Sequence, residues 1–189
     1  MRVLAVAIVV ATLVGGQPGP LVAQGQGPVV ALITAVEGQA VILPGEQRAL
    51  PFQWLTADSR LATGPRSTVV ITFATGTRVR VKARSRVTVI GNQVIPSVGG
   101  VDGLPEGPAF PVRKVVRDGP SPEPDGADKA LHQGFVDTVN ASSDPELLLL
   151  GAAVQLQWGL PAEAAALLDR ATSASAPPKL VDALRKQVR

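Results

Sequence analysis

The sequence predicts a mainly β amino-terminal domain with antiparallel strands, followed by a small α-helical region. Within residues 67–90, apolar β-branched side chains recur at every second position, which is the period of strands with one buried face. After residue 127 the period changes, because Leu131, Phe135 and Val139 recur every four positions as on one side of a helix. Gly, Pro and Asp dominate the residues between the two patterns, which indicates a boundary there.

Residues 67–90 predict two strands joined by a tight turn. Their apolar positions are all odd-numbered: Val69, Ile71, Phe73, Val79, Val81, Val87 and Val89. A two-residue loop at 75–76 would set Phe73 opposite Arg78, so it cannot bring both odd faces to one core. The predicted loop is therefore Ala74-Thr75-Gly76, with Gly76 in the left-handed conformation that glycine adopts without steric cost. This loop pairs residue 71 with 79 and residue 69 with 81.

The even-numbered positions of the second predicted strand supply the candidate ligand-binding residues. No acidic residue lies between Asp58 and Asp102, whereas the chain from Asp102 onward holds more acids than Lys and Arg. This cationic face can bind an anionic partner, can be covered by the acidic helical end, or can be a solvated edge that prevents strand aggregation. The five candidates are Arg78, Arg80, Lys82, Arg84 and Arg86.

Composition argues against most enzyme classes. The 189 residues are 46% hydrophobic, which is ample for a core, but only 3% aromatic, which argues against a stacking platform for nucleic acid. Cysteine is absent and His132 is the only histidine, so cysteine-based zinc sites and a histidine metal site are excluded. We therefore expect no enzyme, no catalytic, cofactor-binding or metal-binding residues, no cofactor and no nucleic acid partner.

The amino terminus resembles a secretory signal peptide, predicted over residues 1–25. Met1-Arg2 supplies the charge, residues 3–14 the apolar run and 15–18 the helix-breaking end. The run is shorter than the ~20 residues that a membrane span needs. We expect a periplasmic or otherwise exported protein with no stable membrane span after cleavage. An uncleaved anchor is the alternative.

The predicted β domain covers residues 28–95. Residues 29–36 and 39–43 predict two short strands, and 46–66 is expected to wrap one edge of the sheet. Trp54 stands in an apolar neighbourhood and is predicted to fill the core rather than bind a ligand.

Residues 55–67 read L-x-x-D-S-R-L-x-T-G-x-x-S and lead into the alternating strands. This order resembles the FecR domain, whose pattern combines a leucine, a Gly-Asp turn, a hydrophobic-x-Thr-Gly segment and a strand that ends before a Gly turn. The resemblance implies an exported all-β domain of the cell envelope. It also implies structural turn roles for Thr63, Gly64 and Gly76. The chain has Asp58-Ser59 where the family has Gly-Asp.

The rest of the chain is predicted as a linker and helices. Residues 96–126 are rich in Pro and Gly, with a candidate edge strand at 112–117. Residues 127–189 are predicted helical, and Asp144-Pro145 and Pro161 mark two helix starts. The spacing of small and large residues resembles one tetratricopeptide unit: Ala152, Gly159, Glu163, Ala164, Leu168, Ala171 and Pro177.

Two functions follow from these patterns. The first is an exported binding or scaffolding module, whose partner is an envelope protein or an anionic cell-wall polymer. The second is a protein-interaction adaptor that acts through the helical hairpins, with the cationic face solvated or covered by the chain itself.

Overall fold

A computed structural model describes residues 27–114 and 123–188, as an antiparallel β region followed by four helices. The predicted fold class is confirmed, and the predicted signal peptide lies outside the described residues. The strands are β1 Val29–Glu37, β2 Ala40–Leu43, β3 Gln47–Arg48, β4 Trp54–Thr56, β5 Arg60–Thr63, β6 Thr68–Phe73, β7 Arg78–Val81, β8 Arg86–Ile90, β9 Gln93–Val98 and β10 Val101–Leu104.

The strands form two sheets of five. Sheet A has the order β10-β7-β6-β1-β4, and sheet B has the order β3-β2-β5-β8-β9. One apolar core draws on both sheets, because the inward side chains of each strand meet those of the other sheet. Its buried members include Leu55, Leu61, Val69, Ile71, Phe73, Val81, Val87 and Val89. The alternating positions of the sequence are therefore the sandwich interior.

The predicted hairpin turn is confirmed. Val69 lies opposite Val81 and Ile71 opposite Val79. The Phe73 N–H donates to the carbonyl oxygen of Thr77 over 2.8 Å, and Gly76 has a φ of 90°. The three-residue loop thus uses glycine in a conformation that disfavours a Cβ.

The expectation of one uninterrupted second strand is wrong. Strand β7 ends at Val81, and the chain then crosses to sheet B and resumes as β8 at Arg86. Arg84 turns the chain with a φ of 55°. The inward face is kept across this break, since Val81 and Val87 are both buried, so the sequence period alone did not reveal it.

The strand pairing repeats within the β region. Residues 40–43 of β2 lie opposite 63–60 of β5, and residues 101–104 of β10 lie opposite 81–78 of β7 in the same register. The pairs β1–β6 and β9–β8 each contain one irregularity in register. In the sequence the repeat appears as RSTVVI at 66–71 and RSRVTV at 84–89.

A serine fixes the same corner in each half. The Ser67 Oγ accepts a hydrogen bond from the Gln39 N–H over 2.9 Å, and the Ser85 Oγ accepts one from the Gly100 N–H over 3.0 Å. Both serines are buried, and each follows an arginine with a positive φ, 59° and 55°. Each serine therefore joins a sheet-to-sheet crossing to the neighbouring crossing.

The β region extends beyond residue 95, where the sequence predicted its end. Strand β9 continues to Val98, and β10 lies inside the predicted linker. Strand β10, rather than the predicted 112–117, pairs with the outer edge of β7. Residues 112–114 form no strand, and 115–117 lie outside the described residues. The linker prediction missed β10 because Gly103 and the flanking Gly and Pro residues resemble loop composition.

The expectation for 46–66 is also corrected. This segment contains β3, β4 and β5, and β5 lies between β2 and β8 in the middle of sheet B. Trp54 is buried as predicted, on the outer side of sheet A, where it joins the core of the helices.

The helices are α1 Gly126–Ala141, α2 Pro145–Gln157, α3 Pro161–Ser173 and α4 Pro178–Val188. The two predicted starts are confirmed, since Pro opens α2 and α3 and the Asp144 side chain accepts from the Glu146 N–H. Helix α2 is buried along most of its length by its neighbours. The small residues of the tetratricopeptide-like spacing, Ala152, Ala164 and Ala171, are fully buried.

The helices pack against the outer face of sheet A. The shared core contains Leu32 of β1, Trp54 of β4 and Phe110, together with Phe135 and Val139 of α1. Phe110 belongs to the segment after β10, and its N–H donates to the carbonyl oxygen of Ala74 over 2.9 Å. The molecule therefore has three layers in the order helices, sheet A, sheet B.

Candidate functional site

The five predicted cations do not form a single row. Arg78 and Arg80 lie on β7 of sheet A, and Arg86 lies on β8 of sheet B. Lys82 and Arg84 lie in the turn between these strands. The chain crossing at 82–85 thus distributes the cations over one sheet, one end of the sandwich and the other sheet.

Two of these cations have carboxylate partners. The Arg78 guanidinium lies 3.1 Å from the carboxylate of Glu146 at the start of α2, and the Lys82 ammonium lies 2.7 Å from the carboxylate of Asp102 on β10. Arg78 is therefore paired with the helical end, whereas the partner of Lys82 belongs to the β region. Both pairs are partly exposed, so each contributes at most about 1 kcal/mol to stability.

The other three, Arg80, Arg84 and Arg86, are exposed. No ion pair is found for them within residues 27–114 and 123–188. Asp102 stands opposite Arg80 across the β7–β10 pair, but its carboxylate is engaged by Lys82. Arg84 is therefore the predicted cation that a ligand at this end of the sandwich can reach without displacing a described carboxylate.

The three predicted turn residues have structural roles. The Thr63 hydroxyl accepts from the Ser85 N–H over 2.9 Å and so holds the β7–β8 turn. The Gly64 N–H donates to the Gln39 carbonyl oxygen over 2.8 Å. Gly76 has no room for a side chain, because a Cβ there would overlap the carbonyl oxygen of Gly107.

Sequence reasoning missed a second cationic surface, the outer face of sheet B. It follows two rows of paired residues, Leu43-Arg60-Thr88-Ile95 and Arg48-Val41-Ala62-Arg86-Val98, with Ile90 beside them. We call these residues the arginine–aliphatic face. None of them is acidic. Arg86 was predicted to lie on the same strand as Arg78, whereas it lies on β8 of sheet B.

A cluster of polar side chains lies where α1 meets the end of α2. The ring of His132 stacks on Trp158 with centroids 4.0 Å apart, and its Nε2 lies 3.1 Å from the Gln155 Oε1. The Arg113 N–H donates to the Gln157 Oε1 over 3.2 Å, which ties the segment after β10 to α2. These contacts hold the helices to the chain that crosses sheet A.

The carboxyl group of Asp125 has a lowered pKa. The Asp128 N–H donates to the Asp125 carboxylate over 2.8 Å and lowers the pKa of that carboxyl, with a smaller contribution from Lys114. Asp125 is the N-cap of α1, so this shift belongs to helix capping.

Within the described residues, no three His, Asp or Glu side chains gather as metal ligands, and no helix is long and apolar enough to cross a membrane. Comparison with protein-family models, with curated proteins and with solved structures gives no match.

Proposed function

We propose that this chain is an exported, non-enzymatic module of the cell envelope that binds an anionic polymer or an envelope protein through exposed arginines. The observation that carries the proposal is the exposure of Arg80, Arg84 and Arg86 without a carboxylate partner among the described residues. Guanidinium groups form paired hydrogen bonds with carboxylates, phosphates and sulfates, so such a surface favours polyanions.

The end of the sandwich adds a further exposed arginine to this surface. The turns 64–67 and 82–85 lie side by side, since the Arg84 N–H donates to the Gly64 carbonyl oxygen over 3.1 Å. Each turn presents one exposed arginine, Arg66 or Arg84, with a positive φ. The serine hydrogen bonds fix both turns, so the two guanidinium groups start from a rigid base.

For the finer assignment, we propose a FecR-like domain followed by a tetratricopeptide-like helical unit. The support is that Thr63, Gly64 and Gly76, the turn residues of the resemblance, are each held by specific backbone contacts. Export rests on the apolar run at 3–14.

The adaptor function receives less support. Helix α2 is enclosed by the chain, and the apolar residues of α3 and α4 pack in the shared core. Among the described helical residues, Leu131 is the large apolar side chain that remains exposed. A partner groove on the helices would require the core to open.

The test measures binding to dextran sulfate, with neutral dextran as the comparison, by fluorescence titration at several salt concentrations. Changing Arg80 and Arg84 together to Gln should weaken binding about tenfold and reduce its salt dependence. The matched control changes Lys179 and Lys186 on α4 to Gln, which removes the same net charge from the helical side and breaks no ion pair among the described residues.

Equal losses in the variant and the control would mean that only net charge matters and would overturn the arginine site. Thermal melting of each variant checks that folding is retained. Binding of an envelope protein by the whole chain that is unchanged in the Arg80 and Arg84 variant would instead favour the adaptor.

A further inference from the structure

The arginine–aliphatic face is the uncovered outer layer of the sandwich. The outer face of sheet A is covered by the helices, which bury Leu32 and Trp54. On sheet B the corresponding outward residues Arg48, Arg60 and Arg86 are exposed. The two outer faces of the sandwich therefore differ in what they present to solvent.

Three large aliphatic side chains protrude from this face. Ile90, Ile95 and Val98 are 52%, 47% and 54% exposed, on the neighbouring strands β8 and β9. Ile95 lies opposite Thr88, and Val98 lies opposite Arg86, so each row contains both aliphatic and cationic side chains. Adjacent exposed aliphatics on one face mark an interaction surface, whereas scattered ones do not.

This combination fits an anionic lipid surface better than a soluble polyanion. A hydrophilic polymer satisfies the arginines but leaves the aliphatic groups in water. At a bilayer the aliphatic groups enter the headgroup boundary while the arginines meet phosphates, so both kinds of side chain gain. No acid lies within the paired rows, and the exposed Glu46 and Asp58 lie in turns at the ends of these strands.

One end of the arginine–aliphatic face lies beside the first described residues. The Ala57 N–H donates to the Pro28 carbonyl oxygen over 2.9 Å, so the first described residues lie beside the turn before β5. In the same turn the Ser59 carbonyl oxygen accepts from the Val89 N–H over 2.8 Å, next to Ile90. Residues 27 and 28 therefore lie at the Ile90 end of the face.

We propose that the arginine–aliphatic face docks on an anionic lipid membrane surface. This rests on the proposed export and anion binding, and it names the partner for a second surface, distinct from the turns that carry Arg66 and Arg84. The aliphatic side chains supply apolar contact and the arginines supply attraction to the headgroups.

The experiment uses residues 27–189, because the described members of both cores lie within this range. Sedimentation with vesicles of phosphatidylglycerol and phosphatidylethanolamine is compared with vesicles of phosphatidylcholine. We expect binding to the anionic vesicles, reduced about tenfold or more by Ile90→Asn with Ile95→Asn and similarly by Arg48→Gln with Arg60→Gln. The control is Leu131→Asn, since Leu131 is 50% exposed on the helical side.

Retained secondary structure and melting temperature ensure that each loss is a loss of binding. Absence of vesicle binding, or equal losses in Leu131→Asn, overturns the proposal. A concentration-dependent dimer that Ile95→Asn abolishes overturns it in favour of contact between copies. Dextran sulfate binding that persists while vesicle binding fails leaves the proposed function standing and refutes only the lipid partner.

Discussion

The ring of Phe110 packs edge-on against the ring of Trp54, with centroids 6.1 Å apart. On its other side the same phenyl ring lies 6.3 Å from the ring of Phe135 on α1. Phe110 therefore joins sheet A to the helices, and the segment that was predicted as a linker supplies the central residue of the shared core.

Phe110→Ala should lower the free energy of unfolding by about 3–5 kcal/mol, because it removes a fully buried ring between two others. Denaturant unfolding followed by tryptophan fluorescence measures this loss, since Trp54 reports on the site directly. Leu131→Ala is the surface control and should change stability by less than about 0.5 kcal/mol. A Phe110 variant as stable as wild type would show that sheet A and the helices do not share this core.

The corner serines should contribute equally. Ser67→Ala and Ser85→Ala each remove a buried acceptor from a backbone N–H, and each should cost about 1 kcal/mol. Thermal or denaturant unfolding measures both, and Ser97→Ala, at an exposed hydroxyl, is the control. A large loss at one serine with none at the other would contradict the structural equivalence of the two halves.

The sequence predicted those parts of the fold that depend on contacts between residues close together in the chain. The loop at 74–76 and the residue pairs 71–79 and 69–81 follow from the alternation of apolar residues and from the conformation of glycine. The structure confirms both. The transfer of β8 to sheet B depends on contacts such as that between Thr63 and Ser85, which are distant in sequence. Side chains alternate with a period of two residues in a strand of either sheet. The pattern alone therefore placed Arg86 on the same strand as Arg78.

The candidate site shows the same division. The distribution of charged residues in the sequence located the cations. It could not reveal the ion pair between Lys82 and Asp102, because β10, which carries Asp102, has the composition of a loop. The outer face of sheet B was missed for a related reason. Arg48, Arg60 and Arg86 come from three separate segments and meet only through strand pairing.

Gly76→Ala should destabilise the fold by about 1–3 kcal/mol, because the residue has a φ of 90° and a Cβ would overlap the Gly107 carbonyl oxygen. Gly103→Ala on the edge strand β10 is the matched control, since a Cβ there meets no other atom within 4 Å. The melting temperature of Gly76→Ala should be lower than that of Gly103→Ala. Similar values would mean that the turn can relax around an alanine.

The pH dependence of α1 follows from Asp125. Because the folded state holds the pKa of this carboxyl below its ordinary value, its contribution is complete above that value and is lost as the pH falls through the lowered pKa. Titration of the Asp125 carboxyl carbon by NMR should give a midpoint below about 3.9, the usual value for Asp. Asp125→Asn keeps a capping acceptor but cannot titrate, so its melting temperature should depend less on pH in the acid range. The same acid dependence in both proteins would exclude Asp125 as its source.

Brief proteolysis should cut between residues 119 and 126, where Gly and Pro are concentrated. We expect the two fragments to stay together after the cut, because Phe110 remains on the amino-terminal fragment while Phe135 lies on the other. Gel filtration of the cut protein should give one peak that contains both fragments, and denaturing electrophoresis should resolve them. The same treatment of Phe110→Ala should release the helical fragment, since the ring between the two layers is missing. Separation of the wild-type fragments without denaturant would show that the packing of helices on sheet A depends on the intact chain.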